Sequence, residues 1–429
     1  MLPVDYLHVL CLVGLLLYVW RREPARLLLT PLMLLSFFVL YGAGNIIYFQ
    51  GADTLPDIHR AVTLSMVLMW LGIIAGIELA RASMPVLAAR SQHVVRTWNS
   101  TTLINRATTD QLLVMLGLLT ALFLLAVLIA LGKPRQILTF LTLQSVSEKK
   151  QYRMELGGQG FYLYQILVVS VAPFLSILLL IKGRVSRQRD LFGVGLLLCL
   201  TILACKVGSF QKIPWVIYLL QLMVAFQVCK RLEISVGRAV LYLVVVLGGV
   251  IGATLIAIPD LGTDVFEWLG YRFFEVNNEA IYQTFYVYPR YLPHTWGMNI
   301  GLIHSVFGND QLVSAYTEVA NFFGAEGATF DTFFVGDAWV DFGYAGVLLM
   351  AVLVGYVVKS VDIYIMSFGK TPLAVALLAG GMYGLFQLQV TSAFTAFLSG
   401  GLVFIPLLVL ASQGLMNDVT RGRLLQWQR

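Results

Sequence analysis

Apolar runs recur along the chain, separated by short polar stretches. Most are long enough, at about 18 residues or more, to cross a hydrocarbon core of roughly 30 Å as a helix. Eleven are legible. The first six are Leu2–Trp20, Leu27–Tyr48, Ala61–Ala80, Leu112–Leu131, Phe161–Ile181 and Leu191–Val207. The other five are Pro214–Val228, Ala239–Pro259, Phe334–Val358, Leu373–Leu388 and Phe394–Ala411. The sixth and seventh are short or polar-interrupted. The tenth carries Gly380, Gly381 and Gly384, small residues that let helix backbones approach closely in a membrane. The pattern predicts an all-α fold: a polytopic transmembrane helical bundle of about 11 spans, forming one integral membrane domain over residues 1–429. Leu2–Trp20 has Asp5 where a signal peptide would be basic, and no small-residue cleavage site, so it is expected to stay as a mature span.

Composition agrees with this class and narrows it. Hydrophobic residues make up 59% of the chain and charged residues 12%, about half the charge of a soluble domain. The net charge of +6 is scattered between apolar runs, whereas nucleic-acid binding needs a basic stripe. The cysteines Cys11, Cys199, Cys205 and Cys229 lie in or beside apolar runs without CxxC or metal spacing, and read as small buried hydrophobes.

Charge also assigns an orientation. Alternate loops and the carboxyl-terminal tail hold 19 of the 29 Lys and Arg residues, and short loops with that bias stay cytoplasmic. The amino terminus is then expected outside, the carboxyl terminus inside. Two long, partly helical segments face outward: residues 132–160 and the larger 260–333. There is no GxxxxGK[ST] phosphate cradle, and no internal repeat of the kind many transporters carry. Chemistry, if any, is expected outside.

Candidate residues concentrate there. Ser145-Val-Ser-Glu-Lys-Lys-Gln-Tyr-Arg153 would, as a helix, put Lys149, Lys150 and Arg153 on one face, a basic cluster on the side that normally avoids one. It suits a phosphate, or else a solvated helix neutralised by Glu148 and Glu155. Lys206 sits at the outer end of the sixth run, with Lys212 just beyond. An ammonium so placed faces an interior, a cavity or a partner, or snorkels. In Phe266–Glu279, Arg272, Glu275 and Glu279 fall on one helical face, with Trp268, Tyr271 and Phe274 nearby. Pro289 and Pro293 forbid a helix through Arg290, so Arg290 and His294 are expected on an exposed turn. The aromatics there suit either a membrane interface or stacking on sugar rings. Further on, Asp331, Asp337 and Asp341 precede or enter a span. Asp337 and Asp341, four apart, predict an inward-facing ion pair with an outer cation. Helix capping is the alternative for Asp331 or Asp337, and Asp341 is too deep for it.

Four of these features resemble the Wzy-like oligosaccharide repeat-unit (O-antigen or exopolysaccharide) polymerases. They are Tyr152-Arg153 with Gly157-Gly-Gln-Gly160, the Arg272-Phe-Phe stretch, Tyr288-Pro-Arg-Tyr-Leu-Pro-His-Thr-Trp-Gly297, and Gly336-Asp-Ala-Trp-Val-Asp-Phe-Gly-Tyr-Ala-Gly346. The resemblance covers roughly residues 145–358. It implies a bacterial inner-membrane glycosyltransferase that moves a growing glycan from polyprenyl diphosphate to a lipid-linked repeat unit on the outer face. A chain-length regulator and a flippase would be its partners. The family's diphosphate-binding arginines correspond to Arg153 and Arg272, with Arg290 a further candidate. Lys206 and Lys212 stand where many relatives have arginine, and Lys149 lies beside the first of these loops. The related O-antigen ligases imply an outer histidine as base, for which His294 is the nearest match; Asp337 is the carboxylate alternative. With cations neutralising the leaving diphosphate, no metal and no cofactor is required. A ligase, or a flippase that moves the same lipid-linked oligosaccharide without making a bond, remains the alternative.

Overall fold

The computed structural model describes residues 2–23, 27–104, 110–143, 145, 148, 151–152, 162–208, 213–257, 262, 264–300, 303–304, 314–325 and 332–412. They are overwhelmingly helical, with no strand among them. Eight helices are long and apolar enough to cross a membrane. In chain order these are α1 (Pro3–Arg22), α2 (Leu29–Gly51), α3 (Pro56–Ser83), α4 (Asp110–Ala130), α5 (Leu163–Ser186), α6 (Arg189–Val207), and, after the large loop, α7 (Phe334–Ser367) and α8 (Pro372–Val390). The seventh and eighth runs appear as shorter apolar helices, Pro214–Lys230 and Val240–Gly252. Proline opens α1, α3 and α8, where its fixed φ is preorganised and its missing N–H costs nothing.

The last run departs from expectation. Phe394–Ala411 is not one helix. Ala393–Phe397 is helical, the chain turns at Gly401 with φ +80°, and helix resumes at 404–412. Within the turn the Gly400, Leu402 and Val403 amides return to the Thr395, Ala396 and Phe397 carbonyls, and Ser170 donates to the Ser399 carbonyl. A broken helix is tolerated in an apolar setting when its backbone groups are satisfied internally, as these are.

α3 and α7 form the spine of the bundle. A Cβ at Gly76 would overlap the Val352 carbonyl and one at Gly355 the Ile73 carbonyl, so the two backbones touch directly. The glycines of α8 behave as expected from sequence: a Cβ at Gly381 would press on Leu29 and one at Gly384 on Leu402. All four cysteines are free.

α1 and α3 run so that Arg22 and Arg81 share one end of the bundle. There Glu23 lies 2.6 Å from Arg81 and 2.8 Å from Lys359. Asp362 caps α2, accepting the Leu29 amide at 2.9 Å and the Thr30 amide at 2.8 Å. Lys182 pairs with Asp110. The opposite end carries the candidate chemistry.

Candidate functional site

The site is built where the 260–333 segment meets the start of α7. That helix has 34 residues, about 50 Å if straight, which exceeds a bilayer core. It does not run straight. Gly343, at φ 60° and ψ −143°, adopts angles open essentially to glycine alone and interrupts the helical ladder. The Val340 and Asp341 carbonyls next to this kink accept the Thr295 amide at 3.0 Å and the Trp296 amide at 3.1 Å.

The loop that supplies those amides is set by sequence. The preceding helix, Val276–Val287, ends before Pro289, and the Val287 carbonyl takes the Tyr291 and Leu292 amides. Arg290 and His294 thus lie on a turn, as the prolines predict. The turn is pinned from below. Trp339 Nε1 donates to the Tyr288 carbonyl at 2.9 Å, Phe285 stacks on Trp339 at 4.1 Å, and the Tyr288 hydroxyl donates to Glu318. Burial, reinforced by Glu318, raises the Tyr288 phenol far above its ordinary range, so it remains a donor throughout physiological pH.

Two carboxylates clip the loop to α7. Asp341 Oδ1 accepts the Thr295 hydroxyl, the Gly297 amide at 3.0 Å and the Asn299 amide at 3.3 Å. Among the described residues Asp341 forms no ion pair of the kind expected for it. Loop amides and a hydroxyl satisfy it, the kink bringing the loop against it. Asp337 accepts Asn299 Nδ2 at 2.9 Å and the Tyr316 hydroxyl at 2.6 Å, one on each oxygen. Asn299 Oδ1 in turn takes the Ala315 amide at 3.1 Å. Donors on both oxygens tie Asp337 to the loop.

His294 has a defined polarity. Its Nδ1 lies 3.2 Å from the Val340 carbonyl. A carbonyl only accepts, so this contact selects the Nδ1–H tautomer of the neutral ring and leaves the lone pair on Nε2. The ring meets Trp339 edge-on at 5.8 Å. Nε2 faces the bare α-carbon of Gly343, where a Cβ would lie only 3.5 Å away. The side chain is half-buried.

The expected cations are not gathered around one point. Arg290 is 44% exposed, lies 3.8 Å from Asp57, and sits over the Tyr286 ring at 5.6 Å. Arg272, exposed, sits over Trp268 at 5.3 Å. The 12-residue helix Val276–Val287 separates the two arginines, a length of about 18 Å. In the stretch expected to set Arg272, Glu275 and Glu279 on one face, residues Tyr271–Glu275 form a π-helical turn, and Glu279 accepts from Tyr271 at 3.2 Å and Gln283 at 3.1 Å. Lys206 is buried, near the Tyr218 ring at 5.8 Å and the Tyr383 ring at 5.2 Å, among spans rather than beside His294's loop. Lys149, Lys150, Arg153, Lys212 and Asp331 lie outside the described residues.

Phe322, Phe323, Asn299 and Tyr316 escaped the sequence reading. Beside Arg290, Tyr286, Tyr291, Phe322 and Phe323 cluster, with Tyr291 4.9 Å from Phe322 and 5.4 Å from Tyr286, and Phe323 6.0 Å from Tyr286. Three of the four are exposed, forming an apolar platform at the rim. Thr295, Asn299 and Tyr316 are ordinary loop residues until the fold aims them at the carboxylates. Nearby, a recess of about 230 Å³ is lined by Asp5, Asn45, Phe49, Gln50 and His59. His59 Nε2 lies 2.9 Å from Asp5 Oδ1 and its ring stacks on Phe49; α1 and α3 bring these two polar residues together from 54 positions apart.

No family model, curated protein or solved structure matches this chain. Fold and composition define its class, a polytopic membrane protein of bundled apolar helices.

Proposed function

We propose that the chain is a polysaccharide polymerase that transfers a growing glycan from polyprenyl diphosphate to a lipid-linked oligosaccharide repeat unit. The observation that carries this reading is His294, held by the Val340 carbonyl so that Nε2 keeps its lone pair, on the same turn as exposed Arg290 and its aromatic platform. In the reaction, Nε2 accepts the proton of an acceptor sugar hydroxyl. The hydroxyl oxygen bonds to the anomeric carbon of the donor glycan, and the bond from that carbon to the diphosphate oxygen breaks. Polyprenyl diphosphate leaves with the electron pair, its charge met by Arg290. Tyr286, Tyr291, Phe322 and Phe323 offer apolar faces for sugar rings.

A polymerase handles two lipid diphosphates at once, one on the donor and one on the acceptor. The separation of Arg272 from Arg290 suits that requirement. Arg290 serves the donor beside the base, and Arg272 serves the acceptor's diphosphate, one extended repeat unit away. The reaction face is outside a bacterial inner membrane, with the amino terminus outside and the carboxyl terminus cytoplasmic, on the loop-charge bias. A chain-length regulator and a flippase are its expected partners.

The reaction itself is the test. Purified protein given a polyprenyl-diphosphate-linked repeat unit, without nucleotide and with chelator, is expected to make longer lipid-linked glycans. His294→Ala is expected to slow this about 10²-fold or more. A ligase would need a separate lipid acceptor, and a flippase would move substrate across liposomes without lengthening it. Absence of elongation by well-folded protein supplied with its own repeat unit would sink the proposal. For orientation, an impermeant thiol reagent on intact cells should label Asp53→Cys and not Ser235→Cys, in a background without the four native cysteines; the reverse pattern inverts the topology and moves the site to the wrong face.

A further inference from the structure

A recess lies at the other end of the bundle, where α5, Pro214–Lys230 and the helix Val236–Ala257 come together. It holds about 570 Å³, and three cations line it: Arg184, Lys230 and Arg238. No Asp or Glu is among its lining residues.

Basic residues at helix ends on this side have an ordinary explanation in the charge bias of membrane proteins and in the negative ends of helix dipoles. Neither makes cations converge on one cavity. Other basic side chains at this end have partners of their own: Lys182 pairs with Asp110, Arg81 and Lys359 with Glu23, and Lys370 donates to the Trp98, Thr101 and Lys230 carbonyls. Arg184, Lys230 and Arg238 form no ion pair among the described residues. Neutral groups hold the two guanidiniums in position. Arg184 lies over the Phe226 ring at 5.9 Å. Arg238 donates to Gln227 Oε1 at 3.1 Å, and Gln227, buried, is fixed by its own bond to the Glu233 carbonyl at 2.9 Å. The recess therefore presents oriented, uncompensated positive charge.

Its remaining wall is apolar. Phe226 and Leu241 line it while 38% and 56% exposed, so the cavity opens sideways onto the hydrocarbon-facing surface of two helices. A soluble anion has no use for that flank, whereas an acyl chain does.

We infer that this recess binds the head group of an anionic phospholipid, with the phosphate on Arg184, Lys230 and Arg238 and an acyl chain along Phe226 and Leu241. Basic pockets between transmembrane helices are suited to such head groups, and two of the three donors are guanidiniums, which match phosphate oxygens with a planar fork. The site lies at the end opposite His294 and does not depend on the proposed reaction.

The test uses full-length protein in neutral detergent, titrated with phosphatidylglycerol, phosphatidylcholine or inorganic phosphate, and read by native mass spectrometry and thermal shift. Phosphatidylglycerol should be retained and raise the melting temperature, and phosphatidylcholine should do neither. Arg184→Gln with Arg238→Gln should weaken phosphatidylglycerol binding at least about tenfold. The matching double Lys variant should keep part of it, which controls for folding. Arg187→Gln removes an exposed charge at the same end outside the recess and should change nothing. Equal stabilisation by inorganic phosphate, equal retention of phosphatidylcholine, or undiminished binding in the double Gln variant would each overturn the inference.

Discussion

Glu23 and Asp110 at one end of the bundle and Asp341 at the other are held in opposite ways, while Asp362 at the Glu23 end takes backbone amides. At the Glu23 end, carboxylate meets ammonium and guanidinium directly, with Glu23 between Arg81 and Lys359 and Asp110 on Lys182. At the His294 end, Asp341 is satisfied by amides and a hydroxyl, and Asp337 has Asn299 and Tyr316 on its two oxygens. The arginines of that end stay exposed. Direct pairing cancels the charge of Arg81, Lys182 and Lys359 inside the protein. Neutral donors hold Asp341 in place, and Arg290 and Arg272 lie exposed at the rim.

Removing the centre of the paired end should have the largest effect. Glu23→Ala takes the ion-pair partner from Lys359 and leaves Arg81 with Glu78, and losing one partner of a buried pair costs about 3–5 kcal/mol. A fall in melting temperature and in the yield of folded protein from detergent would register it; an unchanged melting point would mean that water already reaches this network.

At the open end, Arg290→Ala should spare stability and remove function. Its pairing with Asp57 is long and exposed, and such pairs contribute about 0–1 kcal/mol. Polymer formation should nonetheless fall on the order of 10²-fold, the scale for deleting one stabiliser of developing charge. Arg272→Ala should instead raise KM for the acceptor more than it lowers kcat. If both variants lower kcat alike with KM unmoved, the assignment of one arginine to each diphosphate fails.

The smallest expected change tests the clip itself. Asp341→Asn keeps the shape, and the three donors lose a charged acceptor, for which about 1–2 kcal/mol is expected. Proteolysis within the 294–299 loop should become faster while the Glu23 end stays protected. Equal loosening of both ends would show that the two are not independent.

Part of the site was readable in advance because it depends on local chemistry. Pro289 and Pro293 stop a helix wherever they occur, so the turn bearing Arg290 and His294 follows from the chain alone. The role of Asp341 did not. An apolar run with a carboxylate in it suggests a cation nearby, and only the Gly343 kink, which turns α7 against the loop, replaces that cation with amides. The arginine spacing was equally hidden, since a π-helical turn at Tyr271–Glu275 leaves no reliable periodic signature.

Hydropathy by itself determined the class and the order of the main spans, because burying about 20 apolar residues in a row leaves the backbone no option but a helix. Tertiary structure alone decided which polar groups meet. Asp5 finds His59, Asn299 finds Asp337, and Arg184 shares a recess with Arg238, each pair brought from separate segments by helix packing that no local pattern encodes. It also decided that the last apolar run would break at Gly401 and fold back on itself, since the Ser170 side chain that packs there comes from another helix.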